Sequence, residues 1–235
     1  EAGVYYIQEP SAMAPVSYLM EDYDVVQKEP AACQERILDL CAAPGGKSTQ
    51  IAARMHEMYT SGKWKEPGML ICNEIHPARA KILSENVERM GIANAMVTNE
   101  TPQRLAEMFE DYFTRILVDA PCSGEGMFRK NEAACEEWNP ENVSLCAERQ
   151  DGILDCAASM LAPGGRIVYS TCTFAPAENE GSMTRFLLRH PEFHIVEVKK
   201  AEGMSAGVPE WAYFGEKMGQ VLPEIAQTIR LWPQH

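Results

Sequence analysis

One stretch near the start of the chain, residues 37–47, restricts the possible folds more than any other part of the sequence. It begins with residues 37–40, a mostly apolar run of the length and character expected for a buried strand. Pro44, Gly45 and Gly46 then predict a tight turn that lets a ligand approach the bare backbone. Residues 47–55 have a helical pattern. A strand, a glycine turn and a helix in this order predict the first crossover of a nucleotide-binding α/β sheet, with a helix N-terminus available to an anionic ligand group.

The rest of the chain continues the alternation of strands and helices. Short apolar runs predict strands at residues 69–73, 95–98, 115–118, 166–170 and 193–198. Helical spacing of apolar residues predicts helices at residues 12–20, 77–90, 101–110, 141–161 and 176–189, the first with Ser11 as its N-cap. Residues 201–224 indicate irregular structure and residues 228–233 a last strand. We therefore expect an α/β, Rossmann-like sheet flanked by helices over residues 36–235, with residues 1–35 as an N-terminal extension packed on it.

The composition argues against several classes of protein. The 235 residues carry a net charge of −13, which does not fit a protein that coats nucleic acid by charge alone. No apolar run approaches the roughly 18 residues of a membrane span. The eight cysteines include no Cys-x-x-Cys pair, which argues against a zinc site and indicates reduced thiols in a cytoplasmic protein. Because the chain begins at Glu1 rather than Met, we expect a piece of a longer protein.

Polar residues follow the second and third predicted strands, where such sheets bind a nucleotide. Glu74 ends the second strand, 28 residues beyond Gly46. An acid at this position of a doubly wound sheet contacts ribose hydroxyls, and we favour that role over a solvated side chain. Asn99 and Glu100 follow the third strand. For this pair the residues alone leave two alternatives, a contact to an adenine edge or the start of the next helix.

Two of the eight cysteines differ from the rest because they follow strands and lie in turn sequence. Cys122 lies in residues 119–126, where an acid, a proline and two glycines crowd the end of the fourth strand, and Cys172 follows the fifth. Residues 127–130, Met-Phe-Arg-Lys, are either a solvated turn or a nucleic-acid contact. We expect the remaining cysteines to be small buried hydrophobes: Cys33, Cys41, Cys72, Cys135, Cys146 and Cys156.

Several motifs together resemble one protein family. Residues 40–47 (LCAAPGGK), 119–122 (DAPC) and 170–173 (STCT) are similar to the motifs of the Sun/Fmu-type RNA cytosine-5 methyltransferases. Residues 8–13 (QEPSAM) and 122–130 (CSGEGMFRK) resemble the bacterial branch, which methylates 16S ribosomal RNA. The resemblance covers nearly the whole chain and is strongest over residues 1–200.

The resemblance implies a cofactor, S-adenosylmethionine, and residues that hold it. It assigns Glu74 to the ribose hydroxyls and Asp119 to the region near the sulfonium and the target base. An acid after the third strand binds adenine in the family, which points to Glu100 here. We expect the family's RNA-binding modules and final strand to be missing from this chain. The methionine and ribose end of the cofactor is assigned to the first loop: Cys41, Ala42, Ala43, Pro44, Gly45, Gly46 and Lys47.

The resemblance also implies a covalent mechanism. Cytosine C5 becomes nucleophilic once a thiolate has added to C6, and the base must first leave its stack. The family assigns Cys172 as this nucleophile and Cys122 as the helper in product release. Asp119 is assigned to hydrogen-bond or protonate the N3 side of the ring, which offsets the developing charge.

These features predict an enzyme, an RNA (cytosine-5-)-methyltransferase that acts on 16S rRNA or the small ribosomal subunit. We expect a cytoplasmic monomer without a metal ion and without a membrane partner. Three alternatives stay open: another RNA such as tRNA as substrate, a non-catalytic module that binds S-adenosylmethionine or RNA, and a DNA cytosine-5 methyltransferase. The intact pair Cys122 and Cys172 argues against the second. The Thr-Cys motif, which the DNA enzymes lack, argues against the third.

Overall fold

The computed structural model describes residues 5–21, 35–128, 135–136, 138–213 and 219–232. The chain divides into two compact units. The first unit takes its residues from 1–119 and 156–170, and the second unit from 120–155 and 171–235. This division differs from the expected boundary at residue 36, which stays a prediction. Cys33 and residues 129–130 lie outside the described residues.

The first unit contains a five-stranded parallel sheet with the strand order β3-β2-β1-β4-β5. Its strands are β1 (Arg36–Asp39), β2 (Met69–Asn73), β3 (Ala95–Thr98), β4 (Phe113–Asp119) and β5 (Leu161–Ser170). Its helices are α1 (Pro10–Leu19), α2 (Gly46–Thr60), α3 (Pro77–Arg89) and α4 (Pro102–Met108). Helix α5 (Pro140–Met160) begins in the second unit and leads into β5. The predicted Rossmann-like α/β sheet is thus confirmed.

The central strands are buried on both sides, as the apolar runs predict. Ile37 and Leu38 in β1 and Ile116 in β4 are fully inaccessible to solvent. Parallel strands need cover on both faces, which explains why these runs lack the alternation of a half-exposed strand. Helix α1 contributes Val16 and Leu19 to the same buried core cluster as Ile37. The carboxyl ends of all five strands therefore have a defined register, and this positions the polar residues that follow them.

Helix α1 differs from its prediction at its first turn. It begins at Pro10, with Glu9 at the N-cap position and no side-chain cap, so the prediction of Ser11 as N-cap is wrong. Proline suits the first helical position because its φ is already helical and its missing N–H is not needed there. By contrast, Thr101 caps α4 by accepting a hydrogen bond from the Arg104 backbone N–H.

The second unit contains helix α6 (Glu180–Arg189) and an antiparallel pair of strands, β6 (Met204–Ala206) and β7 (Ile229–Leu231). The predicted helix at 176–189 is divided, since Pro176–Glu178 forms a separate 3-10 turn before α6. The last predicted strand exists in shortened form as β7. Its partner β6 lies in the segment predicted to be irregular, so that prediction is wrong at Met204–Ala206.

The predicted strand at residues 193–198 is also wrong. Phe193 and Ile195 are half-buried while His194 and Val196 are exposed, so the alternation of burial exists. However, neither sheet of the described residues includes this segment. A strand needs a neighbour that accepts and donates backbone hydrogen bonds, and an alternating pattern does not supply one.

A buried ion pair joins β7 to α6 within the second unit. The Arg230 guanidinium donates to Glu180 Oε1 at 2.7 Å and also to Oε2, and both side chains are at least nine-tenths buried. Arg230 also lies over the Trp211 ring, at 4.9 Å from its centroid. The strand β7 is therefore attached to the start of α6 by charge as well as by main-chain pairing. No helix in the ranges described above is long and apolar enough to cross a membrane.

Candidate functional site

The turn between β1 and α2 is shaped by two adjacent glycines. Gly45 has a φ of +112°, which lies in the left-handed region that residues with a Cβ rarely adopt. A Cβ on Gly46 would lie 3.0 Å from the Tyr6 ring and 3.3 Å from the Gln8 side chain. The predicted glycine turn is therefore present, and the lack of a side chain lets Tyr6 and Gln8 pack closely against the start of α2. The backbone N–H groups at a helix N-terminus can bind an anionic ligand group.

Helix α3 and strand β2 hold this turn in place. The Asn86 amide donates to the Pro44 carbonyl at 2.8 Å, and the Arg79 guanidinium donates to the Ala43 carbonyl at 2.9 Å. The Ala42 backbone N–H donates to the Asn73 carbonyl at 2.8 Å. Three residues of the predicted cofactor loop thus have hydrogen bonds to regular secondary structure, so the loop is preformed.

Asp39 is a buried carboxyl group at the end of β1. Its Oδ2 accepts a hydrogen bond from Ser48 Oγ at 2.6 Å, while its Oδ1 is buried and has no hydrogen-bond partner among the described residues. Burial raises the pKa of Asp39 to about 7, against the smaller lowering effect of the Ser48 hydrogen bond. Burial also raises the pKa of the neighbouring Cys41 thiol, which disfavours its thiolate form.

Glu74 lies at the carboxyl end of β2, as predicted, and its side chain is 3% exposed. Its Oε1 accepts the His76 backbone N–H at 2.9 Å, and its Oε2 lies 3.5 Å from the Arg79 guanidinium. The backbone of this strand end is fixed by Asn73, whose amide donates to the carbonyls of Leu40 and Glu100. Asn73 therefore ties the ends of β1, β2 and the segment after β3 together.

Asn99 and Glu100 are separated by the structure into different roles. The Asn99 amide nitrogen donates to the carbonyls of Glu74 and Ile75 at 2.6 and 3.0 Å, so its N–H groups are hydrogen-bonded to the backbone. The Glu100 backbone N–H donates to Asn73 Oδ1 at 3.1 Å. Neither residue starts α4, since Thr101 caps that helix. The half-buried Glu100 carboxylate is thus the acidic group that follows β3.

Asp119, at the end of β4, uses both of its carboxylate oxygens. Its Oδ2 lies 2.7 Å from Lys47 Nζ, and its Oδ1 accepts a hydrogen bond from Ser170 Oγ at 2.7 Å. The Lys47 side chain is 16% exposed and that of Asp119 is 34% exposed. An ion pair with restricted access to water is screened less than a surface pair. The pair joins the start of α2 to the end of β4.

The two predicted cysteines form a thiol pair in the second unit. Cys122 Sγ and Cys172 Sγ are 3.3 Å apart, within hydrogen-bond distance for sulfur. Cys172 is exposed and Cys122 is half-buried. The hydrogen bond to Cys172, together with burial, raises the pKa of the Cys122 thiol far above its usual range. The contact between the two thiols therefore favours the protonated form of Cys122.

Each loop that carries a thiol is fixed by close packing of its backbone. The Gly126 backbone N–H donates to the Cys172 carbonyl at 2.7 Å. A Cβ on Gly126 would lie 2.5 Å from that carbonyl oxygen, closer than real Cβ atoms approach. Glu125 Oε2 accepts the Phe174 backbone N–H at 2.9 Å. Residues 124–126 therefore pack directly against the loop that carries Cys172.

Sequence reasoning missed four polar residues that support the predicted ones. Asn73 and Ser170 hold Glu100 and Asp119 in the first unit. Gln150 and Glu178 form a buried network near Cys122 in the second unit. In the sequence, Glu178 and Glu180 are acids near the start of the helix predicted at 176–189, a pattern that the helix dipole explains by itself, so no signal pointed to the role of Glu178.

The other cysteines are buried to different extents. Cys72 is fully buried, as predicted. Cys41, Cys146 and Cys156 are half-buried, and the prediction is wrong for Cys135, which is exposed. The Phe128 ring meets the Trp138 ring edge-on, with 6.3 Å between the ring centroids. No group of three metal-ligating side chains occurs among the described residues.

The family model described as 16S rRNA methyltransferase RsmB/F matches residues 28–235. The chain belongs to this family. The resemblance drawn from the motifs is thus confirmed. The chain is 38% identical over 190 residues to Ribosomal RNA small subunit methyltransferase F of Shewanella denitrificans, with 81% of this chain and 35% of the relative covered. It is 37% identical over 224 residues to the enzyme of the same name from Klebsiella pneumoniae, with 95% and 43% covered. The chain therefore spans less than half the length of these two relatives.

A solved structure also resembles this member of the RsmB/F family. The structure of NSun6 from Pyrococcus horikoshii, determined with SFG, an analogue of S-adenosylmethionine, has a TM-score of 0.62 and 27% sequence identity. The match covers 89% of this chain and 47% of that one. The sheet and its flanking helices thus have the architecture of a known methyltransferase.

Proposed function

We propose that this chain is the catalytic region of an S-adenosylmethionine-dependent methyltransferase that methylates C5 of a cytosine in 16S rRNA. The observation that carries the proposal is the thiol pair, in which Cys122 Sγ and Cys172 Sγ lie 3.3 Å apart on two loops. A buried structural cysteine has no need of a second thiol in contact with it. Membership of the RsmB/F family supports the substrate class.

S-adenosylmethionine, when bound, supplies an electrophilic methyl group, and the first unit has the features that this cofactor requires. The turn at Gly45 and Gly46 leads into the N-terminus of α2, whose backbone N–H groups suit the carboxylate at the methionine end. We assign the loop Cys41–Lys47 to that end. The buried Glu74 carboxylate has the acceptor atoms that ribose hydroxyls need. Glu100 is assigned to the adenine amino group, because the Asn99 amide is already engaged with backbone carbonyls.

Cys172 is proposed as the nucleophile. Its thiolate forms a bond to C6 of the cytosine, and the electron pair of the C5–C6 bond moves toward C5 and the ring. C5 thereby gains the electron density that it needs to accept a methyl group. Exposure of Cys172 suits this role, because an incoming base flipped from its stack must reach the sulfur atom.

Cys122 and Asp119 are proposed to manage protons. After methylation, the C5 proton must leave so that the C6–sulfur bond can break and return the electron pair to Cys172. Cys122, as a thiolate, is assigned to accept this proton, because its sulfur atom lies 3.3 Å from the Cys172 sulfur that is released. Asp119 is proposed to hydrogen-bond the N3 side of the ring. Its pairing with Lys47 and Ser170 fixes the carboxylate for this contact.

The proposed enzyme acts in the cytoplasm as a monomer, on 16S rRNA either free or within the small ribosomal subunit. The test is incubation of the chain with labelled S-adenosylmethionine and with four substrates: methyl-free 16S rRNA, small subunits, tRNA and DNA. Mass spectrometry of the digested nucleosides should find 5-methylcytosine in the rRNA or subunit sample. Label in tRNA or DNA alone would overturn the assigned substrate. Cofactor binding without methylation of any of the four would instead favour a binding module.

A further inference from the structure

Glu178 is a buried carboxylate of the second unit that the proposed mechanism does not use. It ends the 3-10 turn Pro176–Glu178 and has no exposed surface. Burial raises its pKa, which reflects the cost of an anion in this place. A carboxylate in such a position is tolerated when several donors surround it, so its partners indicate what it holds together.

The partners of Glu178 belong to the loop that carries Cys122. Ser123, the next residue after Cys122, donates to the carboxylate twice, from its backbone N–H at 3.0 Å and from its hydroxyl. The Gln150 amide donates to Glu178 Oε2 at 2.8 Å and to the Pro121 carbonyl at 3.0 Å. The residues on both sides of Cys122 are thus attached to this one carboxylate, directly or through Gln150.

The same group of side chains extends to the loop that carries Cys172. Ser123 Oγ lies 2.9 Å from Thr173 Oγ1, and Thr173 is the next residue after Cys172. Thr173 Oγ1 also accepts the Ala175 backbone N–H at 3.2 Å, which fixes the direction of this loop. The neighbours of both cysteines therefore meet at Ser123, and Glu178 determines where Ser123 lies.

We propose that Glu178 is a positioning residue that sets the distance between the thiols of Cys122 and Cys172. The carboxylate fixes Ser123, Ser123 fixes Thr173, and the two sulfur atoms are thereby held within hydrogen-bond distance of each other. This proposal rests on the proposed function only in so far as the thiol pair carries out the reaction. The negative charge of Glu178 also adds to the forces that keep Cys122 protonated.

The distance between the thiols can be measured chemically without RNA or cofactor. A diazenedicarboxamide oxidant takes two electrons and two protons from a thiol pair, is reduced to the hydrazine, and leaves a disulfide. A disulfide needs the sulfur atoms at about 2.05 Å, so the rate at which Cys122 and Cys172 close depends on how well they are held near each other. Peptide mass spectrometry identifies the Cys122–Cys172 bond among the other cysteines.

Four variants separate the proposed role from a general loss of stability. Glu178→Ala removes the hydrogen bonds from Ser123 and Gln150, and Glu178→Asp shortens the side chain so that Ser123 is out of reach. Glu178→Gln keeps the shape, with its amide oxygen available to the Ser123 N–H. Ser182→Ala is the matched control, because it removes a buried hydrogen bond to Gln150 on the side away from Ser123.

We expect closure of the disulfide to be about 10-fold slower or more in Glu178→Ala and Glu178→Asp, since small misplacements of reacting atoms have large effects on rate. Glu178→Gln and Ser182→Ala should stay within about threefold of the wild type. In the methylation assay the first two variants should lose kcat while the affinity for S-adenosylmethionine stays unchanged.

Unchanged closure in a folded Glu178→Asp or Glu178→Ala would overturn the proposal, and so would equal slowing in Ser182→Ala. If Glu178→Ala does not fold, as circular dichroism would reveal, Glu178→Asp alone gives the answer. A wild-type chain that methylates nothing would count against the proposed function, while the closure rates would still decide the role of Glu178.

Discussion

At the carboxyl edge of the first unit's sheet, polar side chains lie at the ends of strands whose register is set by buried apolar residues. Glu74 and Asp119 are examples, each at the end of a parallel strand. The thiols of the second unit lie instead on loops, and Cys122 and Cys172 are held by buried polar side chains such as Glu178. Residues of both regions are assigned to the proposed reaction. Apolar burial positions the first group, and hydrogen bonds of buried polar side chains position the second.

Because different forces position the two groups of side chains, substitutions at the strand ends and in the cysteine loops should have different effects. At the strand ends, the apolar core maintains the position of a polar residue even when its hydrogen bonds are lost, so a substitution there should affect ligand contacts first. In the cysteine loops, the hydrogen bonds themselves maintain the geometry, so a substitution there should move the reacting atoms. Substitutions in the two regions should therefore differ in whether they weaken ligand binding or displace the reacting atoms.

Substitution of the two cysteines should have the largest effects on the reaction, and the two variants should fail at different steps. Cys172→Ala cannot form the adduct and should lower methyl transfer by about 10³-fold or more, as expected for loss of a nucleophile. Cys122→Ala should still attack and methylate, and then stall with RNA attached through Cys172. A denaturing gel with substrate RNA and S-adenosylmethionine should show a slow protein–RNA band for Cys122→Ala alone. A band from Cys172→Ala alone would reverse the two roles.

Glu74→Ala should weaken S-adenosylmethionine binding by about 2–3 kcal/mol, the contribution of charge-assisted hydrogen bonds to a buried carboxylate. The sheet should remain folded, because β2 is held by its apolar neighbours and by Asn73. Calorimetric titration measures the affinity, with Glu88→Ala on the exposed side of α3 as the control. Equal affinity of the folded Glu74 variant and the wild type would remove Glu74 from the site.

Two glycine substitutions test the contrast directly. A Cβ at Gly126 meets the Cys172 carbonyl oxygen at 2.5 Å, and backbone cannot rotate away, so Gly126→Ala should cost about 1–3 kcal/mol of unfolding free energy. A Cβ at Gly46 meets only the side chains of Tyr6 and Gln8, which can turn aside. Gly46→Ala should therefore cost less than about 1 kcal/mol. Urea unfolding of both variants measures the difference, and a larger loss for Gly46→Ala would contradict the contrast.

Asp39 should make stability depend on pH over a defined range. Its pKa is about 7 in the folded chain and 3.8 when unperturbed, so the folded state binds more protons between these values. Stability from this group is therefore present at low pH and falls as the pH rises toward 7. Between pH 6 and 7 the loss should be about 1 kcal/mol. Urea unfolding at these two pH values should show the fall in the wild type and a smaller one in Asp39→Asn.

The parts of the fold that follow from local pattern were predictable from the sequence. Strands 69–73 and 95–98 are correct to the residue, because β-branched and apolar runs between turn residues define them. The turn at Gly45 and Gly46 is also correct, since a left-handed φ requires glycine. The end of α1 nearest Ser11 was mispredicted because two favourable start signals, serine and proline, stood side by side.

The parts that follow from distant contacts were not predictable. Lys47 and Asp119 are 72 residues apart, and no local pattern indicates that they pair. Glu178 carried only a helix-dipole signal in the sequence, although its partners Ser123 and Gln150 make it part of the cysteine loops. The sequence identified the two cysteines through motifs, while the network that spaces them depends on which side chains the folded chain buries together.

The ion pair of Arg230 with Glu180 has a practical consequence for anyone who chooses where to cut or tag this protein. A fragment that stops at residue 228 would retain both thiols and Glu178, but it would leave the Glu180 carboxylate buried without its cation. Removal of one partner of a buried pair costs roughly 3–5 kcal/mol, a large share of the stability of a small domain. The short pair of strands that contains Arg230 therefore stabilises the second unit, and a boundary drawn before it should lower the free energy of unfolding.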